Sequence, residues 1–274
     1  METRDSEKFR TYHVVISIPG EKRHRLTPFY EGVKEKSEKY DSAVDLYIQK
    51  TKGDTASFQE LVDFASFSNA DGLFLWIPQE INSIKPAVNN DGVQIPTITL
   101  GNNSPSISKI CHMVSDFSGE AKNLSEKIVS SYKDEADIMV LNYFNSEEND
   151  FIDFQNEIIR ELEEKGFEKA KLYSFAPDKA VSAITDWLFE MQEKKIQGAI
   201  IALSEADTVN ASQAMVSFAS EKPAEIFGFG NNDAEVYYLE KGIVKELFAI
   251  DYEKIGSIAM TCFSTIKSTE NRAE

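Results

Sequence analysis

Nine short apolar runs punctuate this chain, and between them the apolar residues fall at helical spacing. That alternation restricts the fold more than any other feature of the sequence. A run such as GLFLWIP (72–78) or GAIIAL (198–203) carries no polar residue at alternate positions. A strand built from it needs cover on both faces, which parallel sheets obtain from crossover helices. The other runs are YHVVISIP (12–19), VDLYIQ (44–49), IPTITL (95–100), ADIMVLNYF (136–144), KAKLYSF (169–175), AEIFGFG (224–230) and KELFAI (245–250).

The intervening segments supply the helices. Phe58, Leu61, Val62 and Ala65 share one stripe, as do Phe151, Phe154, Ile158 and Leu162, and a third joins Ile255, Ile258, Ala259 and Cys262. Asp178 and Ser204 stand where caps are expected, and Gly166 and Gly242 follow helix ends. The result is about nine β-α units of about 25 to 35 residues, hence parallel sheets with right-handed crossovers. Nine strands are many for one doubly wound sheet. ICHMV (110–114) is a further strand-like piece, followed by a helix opening near Ser118 with Ala121, Leu124, Ile128 and Tyr132 inward. That point suits a crossing between two lobes.

Charge and cysteine content narrow the function. A formal net charge of -17 over 274 residues argues against nucleic acid or an anionic membrane as the partner. No stretch reaches the roughly 20 apolar residues that span a bilayer, and METRDSEKFRTY has no apolar signal core. The chain is therefore expected to be cytoplasmic or to lack its export signal or anchor. Cys111 and Cys262, the two cysteines, both sit in apolar runs and read as small buried hydrophobes rather than a disulfide, metal or redox pair. His13, His24 and His112 form no metal spacing, and neither a Walker loop nor a GxSxG elbow occurs. GFGNND (228–233) lacks the third glycine of a dinucleotide loop and follows the wrong strand. Acid pairs such as those in EEND (147–150) read as solvated helix starts. No enzyme and no cofactor is expected.

One local feature runs against the acidic background. GEKRHR (20–25) places Lys22, Arg23, His24 and Arg25 in adjacent positions directly after the first strand. It reads as a basic loop at the carboxyl end of that strand, where open α/β sheets bind ligands. Either it is a solvated loop, or Arg23 or Arg25 closes over a ligand or an acidic partner.

Seven segments in order resemble the type I periplasmic-binding-protein superfamily, which includes ribose- and galactose-type sugar-binding proteins, LacI-type ligand domains and sensor ectodomains. They are VVISIPG with TPFYEGVKEKSEKYD, LVDFASFSNADGLFLWIP, QIPTITLGN, VSDFSGEA, IQGAIIALSEADTVNA and EIFGFGNND. The likeness covers about residues 11 to 267. It implies two Rossmann-like lobes with parallel sheets joined by a hinge: 1–114 with 251–274, and 115–250. A ligand would be clamped between them.

The resemblance also implies where the ligand would be met. Phe29 and Tyr30 match the paired aromatics, with helix-start core residues as the other reading. Trp76 and Phe175 end strands and are ligand or core residues. Asp116 matches the lobe-crossing aspartate, a ligand contact or a hinge cap. Several polar positions depart from the pattern. Leu203 stands for an asparagine, leaving Ser204 as the helix cap. Gly230 stands for an aspartate, followed by Asn231 and Asn232, and Gly101 for another, followed by Asn102 and Asn103. Ile250 replaces a glutamine just before Asp251, and the usual arginine falls near Asn149. A sugar held in the standard manner is therefore not expected, although the asparagines could hold another polar ligand.

The expectation is a non-catalytic extracytoplasmic receptor for a small polar, sugar-like ligand, read by a membrane permease or a sensor kinase. The alternatives are a binding-protein fold acting as a protein-interaction module and a cytoplasmic LacI-like ligand domain. Against the last, about eleven residues precede the first strand, too few for a helix-turn-helix.

Overall fold

A computed structural model of the chain describes residues 12–20, 23–49, 55–78, 80–132, 136–142, 149–167, 170–218 and 221–273. In chain order the elements are β1 (Tyr12–Pro19), α1 (Arg23–Ser37), a single 3-10 turn at Glu38–Tyr40, β2 (Ser42–Gln49), α2 (Thr55–Phe67), β3 (Gly72–Ile77), β4 (Thr97–Gly101) and β5 (Cys111–His112). There follow α3 (Phe117–Ser131), β6 (Asp137–Leu141), α4 (Asn149–Glu164), β7 (Ala170–Tyr173), α5 (Ala180–Lys194), β8 (Gly198–Ala202), α6 (Glu205–Val216), β9 (Ala224–Phe229), α7 (Asp233–Glu240), β10 (Val244–Phe248) and α8 (Tyr252–Ala273). They fall into two compact units: unit 1, residues 1–114 with 251–274, and unit 2, residues 115–250.

Unit 1 is a five-stranded sheet in the order β2-β1-β3-β4-β5, every pair parallel. All six residues of β3 are buried, as its uninterrupted apolar run requires, while the edge strand β2 alternates between half-buried and exposed up to its buried last residue, Gln49. Val15, Leu73 and Leu75 on one face pack with Phe58, Leu61, Val62 and Ala65 of α2. Phe74 on the other face meets Phe29 of α1 and Phe263 of α8 edge-on, with ring centroids 6.5 and 6.1 Å away. Glycines set how closely these layers approach. A Cβ at Gly72 would lie 2.5 Å from the Phe263 ring, and one at Gly32 or Gly256 would run into the backbone of the facing helix, α8 or α1.

Unit 2 repeats the topology. Its order β10-β9-β8-β6-β7, read backwards, is the unit 1 order, and its strands also pair in parallel. β8 is wholly buried. The described members of the predicted α3 and α4 stripes lie inward: Ala121, Leu124 and Ile128 join Phe154, Ile158 and Leu162 in one cluster with Ile138, Val140 and Ile201, while the Phe151 side chain lies outside the described residues. α5 and α6 cover the opposite face through Ile184, Trp187, Leu188 and Met215.

Several expectations are corrected. The regular β-α alternation fails between β3 and β5, where no described residue is helical. Pro78, Pro86 and Pro96 interrupt that stretch, and Ile81, Ala87 and Ile95 bury themselves against α2 without helical repeat. Asp178 does not cap α5; the N-cap is Lys179, without a side-chain bond. Ile258 belongs to the exposed side of α8 rather than its buried stripe. The cysteines are half-buried rather than buried. The basic run is not a loop throughout, because α1 begins at Arg23; Lys22 lies outside the described residues.

Candidate functional site at the carboxyl ends of the strands

In a sheet ordered 2-1-3-4-5 the connections leave in opposite directions from the first and third strands, and the carboxyl ends there open a crevice. Each unit has one such point, at β1/β3 in unit 1 and β6/β8 in unit 2.

In unit 1, Arg23 opens α1 next to the end of β1 and is exposed. No acidic residue stands in that first turn, so the positive end of the helix dipole carries a cation it does not favour. Tyr30 is half-buried, whereas its neighbour Phe29 is 1% exposed and lies in the core. Successive helical residues are about 100° apart, so only one of an adjacent aromatic pair can face the sheet. Trp76 is likewise a packing residue: it is buried, and its ring lies 6.3 Å from that of Tyr252. Asn102 is half-buried and staples the turn after β4, its side chain donating to the Ile81 carbonyl at 3.1 Å, while Asn103 is exposed. The side chains of Arg25 and Asn149 lie outside the described residues.

The remaining polar candidates share a structural task. Asp116 caps α3, accepting from the Gly119 N–H at 3.1 Å. Ser204 caps α6, accepting from the Asp207 N–H at 3.1 Å and donating to its carboxylate at 2.7 Å. Asn232 is the N-cap of α7, its backbone N–H donating to the Glu235 carboxylate at 2.8 Å. Asp251 precedes α8 and accepts from the Lys254 N–H at 2.9 Å. Every one follows a strand, so the places where ligands and helix caps belong coincide. Phe175 is half-buried and stacked on Tyr173 with centroids 5.9 Å apart, and Asn231 is exposed.

Several polar residues at these edges carry little signal in the sequence. In unit 1 the buried Gln49 donates to Ser17 Oγ at 3.0 Å; the only signal was a glutamine closing an apolar run. In unit 2 Asn142, at the end of β6, donates to the Gln155 side chain. The fully buried Thr208 ties α6 to the end of β9, its hydroxyl accepting from the Phe229 N–H at 2.8 Å. Leu203 is a core residue and Gly230, at φ 125°, has no side chain to offer. A Cβ at Gly230 would lie 3.0 Å from both Glu205 and Glu235.

Glu235 is 3% exposed, and burial, with Glu205 beside it, pushes its carboxyl above the ordinary value. Such a group binds its proton more tightly folded than unfolded. Its contribution to stability is therefore full below pH 4.5 and is lost as pH rises through the folded value. Glu235→Gln keeps a carbonyl acceptor for Asn232 and removes the titration. Melting of the variant is expected to match or exceed the wild type at pH 7, with a shallower decline above pH 4.5; a decline as steep as wild type would show that Glu235 is not its source.

Among the described residues no three His, Cys, Asp or Glu side chains come together to hold a metal. What the edges do present is an exposed cation at Arg23, amides at Asn103 and Asn231, and the half-buried ring of Phe175, with the half-buried Tyr30 further along α1.

Two α/β units of identical topology, each with a topological switch point at its strand ends, define a two-lobed binding-protein fold of the type I class. The chain belongs to the periplasmic binding protein domain family, whose sequence profile matches residues 14–266. No curated protein sequence matches it. Among solved structures it is similar to a periplasmic ribose ABC transporter protein from Conexibacter woesei DSM 14684, with 16% identity over 93% of this chain and 85% of that one and a TM-score of 0.70. An ABC transporter solute binding protein from Burkholderia graminis C4D1M, in complex with D-arabinose, is 10% identical over 94% and 89% at TM-score 0.70. An XylFII-LytSN complex matches at 14% identity over 94% of both chains, TM-score 0.68. Among the described residues no helix is long and apolar enough to cross a membrane.

Proposed function

We propose that this protein is a non-catalytic, extracytoplasmic solute receptor that takes a small polar ligand of the carbohydrate class at the carboxyl ends of its strands. The observation that carries the reading is the family match over residues 14–266. Arg23, Tyr30, Asn103, Phe175 and Asn231 are the side chains proposed to reach the ligand, with Asn102, Asp116, Ser204, Asn232 and Asp251 setting the loops that hold them. Binding shifts the population toward a closed form only through differential affinity for that form. A membrane partner reads the closed form. The similarity to the XylFII-LytSN complex supports a protein partner, here proposed to be a sensor kinase, and the similarity to a ribose ABC transporter protein supports a permease.

Thermal-shift screening against sugars and polyols tests the reading. A ligand at about 100 times its Kd adds about 2.7 kcal/mol, a rise of about 5–10 °C for a domain of this size. Arg23→Ala is expected to weaken binding of the hit about tenfold while leaving the melting point of the free protein unchanged. Failure of every sugar and polyol to stabilise the protein would overturn the carbohydrate assignment.

One observation favours a second reading, a protein-interaction module: Leu203 is buried in the core and Gly230 lacks a side chain, so two of the family's polar positions are gone. Ligand-driven compaction in small-angle scattering would reject it.

A further inference from the structure

The cysteines are 151 positions apart in sequence, yet three observations bring them together. Parallel pairing sets Ile16, Phe74, Ile98 and Cys111 side by side across β1, β3, β4 and β5. Residues paired in this way project from the same face of a sheet. That face is the one covered by α8, because Phe263 packs on Phe74 and against Gly72.

The second observation is the rotation of α8. Ser257 donates to the Gly32 carbonyl of α1 at 3.3 Å, which marks the flank turned toward α1, and α1 in turn packs against β2. Cys262, five residues on, lies about 140° around the helix from Ser257. It is thereby turned from α1 and β2 toward β4 and β5, where Cys111 stands. Third, Cys262 lies near enough to bear on Cys111: burial pushes the Cys111 thiol up, and the electrostatic influence of Cys262 adds to the rise. Both are unbridged and half-buried, so an oxidant can reach them.

We propose that Cys111 and Cys262 form a redox-controlled disulfide that ties the edge strand β5 to helix α8. The oxidant is a small-molecule or protein disulfide. One cysteine thiolate attacks a sulfur of that disulfide, forming a mixed disulfide and releasing one thiol. The other cysteine then attacks the mixed disulfide at the protein sulfur, forming the internal bond and releasing the second thiol. Two protein thiols lose two electrons and two protons, and the oxidant gains them. Residues 115–250 all fall inside the loop so closed, and β5 and α8 immediately flank the two points where the chain passes between units. Cross-linking so long a loop restricts the unfolded chain strongly. The proposal does not depend on the ligand reading.

The test treats the folded wild-type protein with oxidised glutathione at mildly alkaline pH, then alkylates, digests without reductant and maps peptides by mass spectrometry. Expected are loss of both titratable thiols, an intact mass lower by two hydrogens, a Cys111–Cys262 linked peptide, and a melting point raised by about 5–10 °C that reductant reverses. Cys262→Ser should take a single glutathione adduct at Cys111 and gain no thermal stability. Separate glutathione adducts on both wild-type cysteines, a disulfide-linked dimer, or thiols that stay reduced would each overturn the proposal. Because the decisive mapping uses the wild type, poor folding of the variant leaves the conclusion intact.

Discussion

Gly256→Ala is expected to destabilise unit 1 by about 2–3 kcal/mol, although alanine is the better helix former. The helical preference is worth up to about 1 kcal/mol in alanine's favour. Against it stands the crossing of α8 and α1. A Cβ at residue 256 would enter the van der Waals shell of the Phe29 carbonyl oxygen, and one at Gly32 would meet that of Glu253. These are backbone atoms, so no side chain can swing aside. Accommodation separates the helices and loosens the edge-on contacts of Phe263 and Phe29 with Phe74, an overpacking cost of about 3 kcal/mol or more. Hydrogen exchange read by mass spectrometry is the appropriate measurement, since a protein of two units need not unfold in one step. Protection should fall in α1, α8 and β1 and persist in β6, β8 and β9. The double variant Gly32→Ala/Gly256→Ala should cost less than the sum of the two singles, because one separation relieves both clashes. Unaltered exchange in α1 would refute the close crossing.

Phe154→Ala should have an effect of similar or greater size in unit 2, about 3–5 kcal/mol. Phe154 is 2% exposed and sits between Phe117 and Phe248, at ring centroid distances of 5.4 and 5.6 Å, with Phe229 a further 5.6 Å from Phe248. This aromatic row joins the starts of α3 and α4 to the ends of β9 and β10. Its truncation leaves a cavity under the edge where the ligand is proposed to bind. Exchange should rise in α3, α4 and β10 while α1 and α8 keep their protection. Phe154→Leu, which retains much of the volume, should recover most of the loss. Equal destabilisation by alanine and leucine would show that ring geometry rather than volume is what the site requires.

The strands were legible because both sheets are covered on both faces, so β3 and β8 read as unbroken apolar runs. The α3 and α4 stripes were legible for the related reason that each helix buries one side. The irregular stretch before β4 was not, because Ile81, Ala87 and Ile95 are buried by position along an extended path, and no period in the sequence marks that. The candidate site was legible only as a set of places. Ser204, Asn232 and Asp251 all follow strands, but the side-chain oxygens of Ser204 and Asp251 accept from the first turn of a helix and the backbone N–H of Asn232 donates to Glu235, the capping alternative that any Ser, Asn or Asp after a strand carries. Phe29 and Tyr30 were read as a pair, and helical rotation separates them into a core residue and a half-buried one.

Residue chemistry along the chain was enough to determine parallel α/β sheets with crossover helices, since alternating buried strands and one-sided helices have few other ways to hide apolar surface, whereas the division into two lobes came with the family resemblance. Tertiary structure alone decided which groups meet. Strand order is set by how crossovers pack, and it carries Cys111 across four strands to the side of the sheet under α8. Glycines at 32 and 256 permit a helix crossing whose closeness depends on two segments 224 positions apart. The basic run shows the same division. Its charge was evident from the letters, but only the fold starts a helix at Arg23 and leaves that cation exposed beside the end of β1.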